Sequence, residues 1–275
     1  LGQRMGVPMV LLDVPYDNDD ASVDYLAEQL RELTRTLEEL TGVPFDENRL
    51  SHLLEVERET NALAWEFMRL QAEHFYPAEF IHHLFFVLAM QLSAGSEELR
   101  DLLRFMVDDI KRAPRLTGDK ILWVHLMPYY QQSLKAAFDY SPTHQIVAVD
   151  MAFCTMSDLA DADPFRALAK KLIDNAMNGP YERKLALADR LLDATHADGV
   201  IHFCHWGCKQ SAGGSALLRE HLHEAGVPLL QLDGDGIDER NSHDGQIKTR
   251  LEAFFEVLKA KRAEGTAQGG TASGE

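Results

Sequence analysis

Asp198-Gly199-Val200-Ile201-His202-Phe203-Cys204-His205-Trp206-Gly207-Cys208-Lys209-Gln210-Ser211-Ala212-Gly213-Gly214-Ser215 reads as a short strand, a tight loop and the start of a helix. The apolar run is short and follows a glycine, as buried strands of parallel sheets do. Two of the chain's three cysteines fall in this stretch. Two histidines, a lysine and several glycines surround them.

Working outward, the same alternation repeats. Strands are expected at Lys120–Leu126, Gln145–Asp150 and Val227–Leu232. Helices are expected at Gln131–Phe138, after Asp163-Pro164, at Tyr181–Thr195, from about Gly214 to Ala225, and at Gly245–Ala260. Asp-Pro is a strong helix start, an acidic cap followed by proline in the first turn. Four strands joined by helical crossovers make a parallel, doubly wound α/β domain. Ligands in such folds bind outside the carboxyl ends of the strands. The cysteine loop lies at one such end. Pro128-Tyr129-Tyr130, Cys154 and Asp233-Gly234-Asp235 lie at the others, so these segments are expected to converge on one crevice.

Residues 15–114 read differently, as helices. Val23, Leu26, Ala27, Leu30 and Leu33 recur at helical spacing, with Asp19 or Asp20 as cap and Gly42 as stop. Before them, Val7–Val14 reads as a buried strand. Gly6-Val7-Pro8 through Leu12-Asp13 echoes Gly226-Val227-Pro228 through Leu232-Asp233. A buried strand needs neighbours for its backbone hydrogen bonds, and the helices offer none. The chain also begins at Leu1 rather than Met. The expectation is that residues 1–114 are the remnant of a first α/β domain plus a helical segment, with that domain's earlier strands upstream. The alternative is that Val7–Val14 joins the edge of the second sheet. Residues 115–262 form the second α/β domain, and 263–275, rich in small residues, a disordered tail.

The net charge of −17 over 275 residues argues against wrapping nucleic acid or docking on an anionic membrane. The longest apolar run, Ile81–Leu92, is too short to span a bilayer. Three cysteines make no disulfide scaffold and suit a reducing, cytoplasmic setting.

The loop itself admits several chemistries. A thiolate near a helix start is stabilised by the dipole, and Lys209 adds positive charge. Gly207, Gly213 and Gly214 would let a ligand approach the backbone closely. Cys204 and Cys208 suit an iron–sulfur cluster. Zinc would draw on His202, Cys204, His205 and Cys208, a crowded set. A catalytic thiol would pair one cysteine with His205. Both cysteines could equally be buried small residues. His125 ends a strand near Tyr129 and Tyr130, where it would line a substrate site or serve as a structural histidine.

His205-Trp206-Gly207-Cys208-Lys209-Gln210, Leu232-Asp233-Gly234-Asp235-Gly236, Arg240-Asn241 and Gly245-Gln246-Ile247-Lys248-Thr249-Arg250-Leu251-Glu252-Ala253-Phe254 together resemble the 2-hydroxyacyl-CoA dehydratase family. That family includes 2-hydroxyglutaryl-CoA dehydratase component D and benzoyl-CoA reductase subunits. The resemblance runs from Gly6 to Leu258 and is densest after residue 178. It implies an iron–sulfur subunit carrying a [4Fe-4S] cluster, with an ATP-dependent activator protein, a second homologous subunit or a second copy of the chain, and an acyl-CoA substrate. The implied chemistry is one-electron reduction of a 2-hydroxyacyl-CoA to a ketyl that expels its hydroxyl. Cys208 matches the family's C-terminal cluster cysteine. In the family further cluster cysteines come from the N-terminal domain. The extra Cys204 suits the branch with a double-cubane cluster, whose members reduce other small molecules. A non-catalytic partner subunit is the third reading. Gln210 and Ser211 are candidate donors to cluster sulfides or a thioester oxygen, or caps of the next helix.

Overall fold

The structure, a computed structural model, describes residue 4 and residues 6–269. Four long helices come first: α1 (Asp20–Thr41), α2 (Glu47–Gln71), α3 (Phe80–Leu92) and α4 (Glu97–Ile110). Three of them start where a side chain takes orphan N–H groups of the first turn. Asp19 accepts from Ser22, Asp46 from Asn48 and Arg49, and Ser96 from Leu99. Gly42 ends α1 in the left-handed conformation, φ 69°, that glycine adopts without strain.

The alternating half follows. It contains β1 (Asp119–Val124), α5 (Gln132–Phe138), β2 (His144–Val149), α6 (Asp150–Phe153), α7 (Pro164–Ile173), α8 (Glu182–Thr195), β3 (Gly199–His205), α9 (Lys209–Ala212), α10 (Ser215–Glu224), β4 (Leu229–Gly234) and α11 (Asp244–Gly269). The four strands form one parallel sheet in the order β2-β1-β3-β4. The fold class expected from the sequence is therefore observed. The chain winds outward one way from β1 to β2 and the other way from β3 to β4. The order reverses between β1 and β3, and that gap is where a doubly wound sheet opens a crevice.

β1, β2 and β3 are buried along nearly their whole length because helices cover both faces, while the edge strand β4 alternates. Ile121, Leu122, Trp123, Val200, Ile201 and Phe203 are fully buried. The core does not stop at residue 115. Ala64, Met68, Phe80, Val87, Leu99 and Leu103 belong to the same apolar cluster as the sheet. Further out, α1 packs on α7 through Val23, Leu26, Phe165 and Ile173.

Two expectations are corrected. Val7–Val14 is not a strand and does not extend the sheet. Its apolar residues are mostly outside: Met9 is 73% and Leu11 83% exposed. Only Leu12 and Val14 reach the α1–α7 cluster. The side-chain amide of Gln29 meets both backbone groups of Asp13, taking its N–H at 2.8 Å and donating to its carbonyl at 3.0 Å. A β-like sequence forms a strand only where a partner edge exists, and the described residues supply none. The second correction concerns the end of the chain. The last helix passes Ala260 and runs to Gly269, through much of the expected disordered tail. Residues 270–275 lie outside the described residues. Among the described residues no helix is long and apolar enough to cross a membrane.

Candidate functional site

The loops after β1, β3 and β4 meet at the carboxyl edge of the sheet, and hydrogen bonds tie them together. After β3, the Trp206 N–H donates to the Gly234 carbonyl at 3.0 Å. The Gly236 N–H donates to His205 Nδ1 at 3.0 Å, so a neutral imidazole keeps its proton on Nε2. After β1, the Trp123 indole donates to the Leu126 carbonyl at 3.1 Å, and the Tyr130 hydroxyl donates to the Asp235 carbonyl. Asp235 fixes its own turn. It accepts from Asn241, Ile237 and Asp238, and the Asn241 bond first among these holds its carboxyl down at about 2. Asp233 faces Arg250 at 3.8 Å. The expected convergence is thus present for three of the four segments.

Cys154 stands apart. It follows α6 at the end of β2, with its thiol donating to the Met151 carbonyl at 3.3 Å. Burial pushes that thiol up to about 12. Its carbonyl accepts from Ala176 at 2.9 Å. The neighbouring Met177 carbonyl takes the Gln210 amide at 2.6 Å. The two loops are thereby linked through the Gln210 side chain and backbone carbonyls rather than through their thiols.

Within the cysteine loop the two thiols differ. Cys204 sits on β3, buried, and burial is the first cause that raises its thiol. Cys208 is half-buried at the rim, close in the loop to exposed Trp206. Cys208 precedes only the single turn α9, and the longer α10 begins at Ser215. The helix-dipole support expected for its thiolate is correspondingly small, because a macrodipole needs aligned turns.

Ser211 is fully buried. Its hydroxyl accepts the His205 N–H at 2.9 Å and donates to the Phe203 carbonyl at 3.2 Å. Its one proton is used inside the protein, so it braces α9 against the end of β3. Gln210 is exposed and its amide is turned to Met177. The glycines fit close packing within the protein. A Cβ at Gly214 would strike the Tyr181 ring, one at Gly213 would lie 2.7 Å from the Lys209 carbonyl, and one at Gly207 would lie 3.0 Å from His205 Nε2.

His125 lies under the rim, 6% exposed. Its backbone is left-handed, φ 77°, which is uncommon outside glycine. Its N–H donates to Asp150 Oδ1 at 2.6 Å. Burial, with the Lys184 ammonium adding to it, pushes its imidazole down to about 4. Asp150 and Lys184 were not singled out by the sequence. They form a buried ion pair at 3.6 Å, each 2% exposed. A signal was present for Lys184: it falls on the i, i+3, i+7 series with Leu187 and Leu191, the buried face of α8.

Among the described residues no group of three or more His, Cys, Asp or Glu is placed to hold a metal ion. The loop's donor chemistry fits a thiolate ligand at Cys208 but not a complete ligand set.

A doubly wound parallel sheet, with a thiol-bearing loop after β3, places the chain in the α/β class. The model of the family described as 2-hydroxyglutaryl-CoA dehydratase, D-component, matches residues 1–258, and the chain belongs to that family. It is similar to the (R)-phenyllactyl-CoA dehydratase alpha subunit of Clostridium sporogenes, 23% identical over 95% of this chain and 67% of the relative. It is similar to the (R)-2-hydroxyglutaryl-CoA dehydratase subunit alpha of Acidaminococcus fermentans, 23% identical over 94% of this chain and 57% of the relative. One of the benzoyl-CoA reductase subunits of Thauera aromatica is 23% identical over 93% of this chain and 65% of that protein. The chain thus spans between 57% and 67% of the length of these relatives.

Proposed function

We propose that the chain is an iron–sulfur subunit of a cytoplasmic 2-hydroxyacyl-CoA dehydratase, with Cys208 as a cluster ligand. The observation that carries this is the half-exposed thiol at the switch point of a chain matched by the family model over residues 1–258. Cys204 is the second candidate ligand. Its burial makes it the poorer thiolate. The remaining ligands come from outside this loop. When bound, the cluster would lend a single electron to the substrate thioester carbonyl and take it back once the 2-hydroxyl has left as hydroxide and the neighbouring carbon has lost a proton, so that net loss of water gives an enoyl-CoA.

The chain's own residues hold the site. Ser211 fixes where β3 ends, His205 and Gly236 join two loop tips, and the Tyr130–Asp235 bond anchors the third. The buried His125 shapes the turn below the rim. An ATP-dependent activator delivers the electron, and a second homologous subunit or a second copy completes the enzyme. Phe85, Leu88 and Leu92 lie at i, i+3 and i+7 on α3, all exposed, and suit an apolar partner contact.

The test is anaerobic production of the protein with its partner subunit, counting iron and sulfide for wild type, Cys208→Ser and Cys204→Ser. Iron should fall in Cys208→Ser. Unchanged iron there would sink the assignment.

A further inference from the structure

Beneath the cysteine loop lies a cluster of polar groups that the chemistry above does not use. The register pairs Val124 with His202, His202 with Gln231, and Cys204 with Asp233. His202 and Cys204 therefore share one face of β3. His202 is 0% exposed, and neither ring nitrogen has a hydrogen-bond partner among the described residues. The Lys184 ammonium and the Asp150 carboxylate act on its imidazole, and on that of His125. Lys184 Nζ, Asp150 Oδ2, His125 Nδ1 and the Tyr181 hydroxyl are likewise buried without hydrogen-bond partners among the described residues. Tyr181 lies within electrostatic reach of both Asp150 and Cys204. The ion pair itself is open, at 3.6 Å.

So many unmade bonds cannot stand. Each buried orphan carries the full desolvation penalty of its group, and together they rival the stability of a whole domain. These groups call for a partner that the surrounding side chains do not supply. An anion is opposed by Asp150 and finds only one fixed positive charge. A metal ion is opposed by the Lys184 ammonium, and no three ligands are placed for one among the described residues. An apolar molecule would leave every orphan unmade. The groups present both donors (Lys184, Tyr181, one nitrogen of each neutral imidazole) and acceptors (Asp150 Oδ2, the other imidazole nitrogens). Water offers both roles at once.

We propose that Lys184, Asp150, His125, His202 and Tyr181 form an internal binding site for ordered water. The water bridges the open Asp150–Lys184 pair to His202 and Tyr181, giving a hydrogen-bonded path that runs from the strained His125 turn to the underside of the Cys204 strand. Asp150 and Lys184 are then positioning residues. Asp150 holds the His125 backbone directly, and both residues, through water, hold the floor under the loop.

Two measurements test this, and neither requires a cluster or turnover, so they stand or fall apart from the dehydratase assignment. A high-resolution crystal structure should show water at about 2.7–3.2 Å from Lys184 Nζ, Asp150 Oδ2 and at least one His202 nitrogen. Tyr181→Phe keeps the ring against Gly214 and removes only the hydroxyl. If water satisfies that hydroxyl, the variant loses a hydrogen bond and its melting temperature falls by about 2 °C. If the hydroxyl is unbonded in a dry interior, removing it raises the melting temperature. A rise, or electron density showing the side chains paired directly with no water between them, overturns the proposal.

Discussion

Replacing Ser211 by alanine separates a structural brace from a catalytic donor. The hydroxyl is fully buried and makes two bonds, accepting from the His205 N–H and donating to the Phe203 carbonyl. Alanine leaves both backbone groups without this partner at the end of β3. An unsatisfied buried group costs about 1–3 kcal/mol. The His205 end is half-buried, where water recovers part of its loss, so the sum is about 2–4 kcal/mol. At an unfolding entropy of about 2.1 cal/mol/K per residue, a chain of 275 residues should lose about 3–7 °C in melting temperature. The strand end is then less fixed, and Cys208 should react faster with a small alkylating reagent. Differential scanning calorimetry and thiol-labelling kinetics read the two effects. A Ser211→Ala protein with unchanged melting temperature and labelling, but with lost turnover, would refute the brace and restore Ser211 as a donor to a ligand.

Breaking the buried ion pair should cost more than removing it. Lys184→Met strands the Asp150 carboxylate and should destabilise by about 3–5 kcal/mol in urea unfolding, while Lys184→Met with Asp150→Asn should recover much of that, because Asn keeps an oxygen for the His125 N–H. A double variant no better than the single would show that the stranded charge is not the source of the loss. Stability should depend on pH through His125 and His202. Burial holds both near 4 against an ordinary value of 6.5, so the unfolded state binds more protons between those values. Stability is therefore complete above about pH 6.5 and falls as pH drops towards 4, by at most about 3 kcal/mol per imidazole. A urea midpoint that does not move across this window would contradict it. Finally, an aromatic disulfide reagent at about pH 8 should label one thiol quickly. Cys208 is half-exposed, Cys204 and Cys154 are buried, and Cys154 is raised to about 12, which leaves almost no thiolate. Three equally fast thiols would contradict the placement.

Much of this protein follows from local pattern. The four strands, their crossover helices, the caps at Asp19, Asp46, Ser96 and Asp163, and the position of Cys208 beyond a buried strand all depend on residues close together in sequence. Side-chain period and capping chemistry act over a few residues, so the sequence carries them directly. Val7–Val14 shows where that ends. Its residues favour a strand as strongly as those of β4, yet only β4 has a neighbour to bond, and pairing is a property of the assembled sheet. The same holds within the site. That Ser211 commits its proton to Phe203, that Gly214 is small because of Tyr181, and that Lys184 goes inward to meet Asp150 all depend on contacts between separate segments. The sequence by itself determined the strands, the helices and the thiol at the strand end. The tertiary structure decided the order β2-β1-β3-β4, and with it the gap that brings His125 beneath the loop of Cys204 and Cys208, because strand order is chosen by which buried faces pack together and not by any single strand.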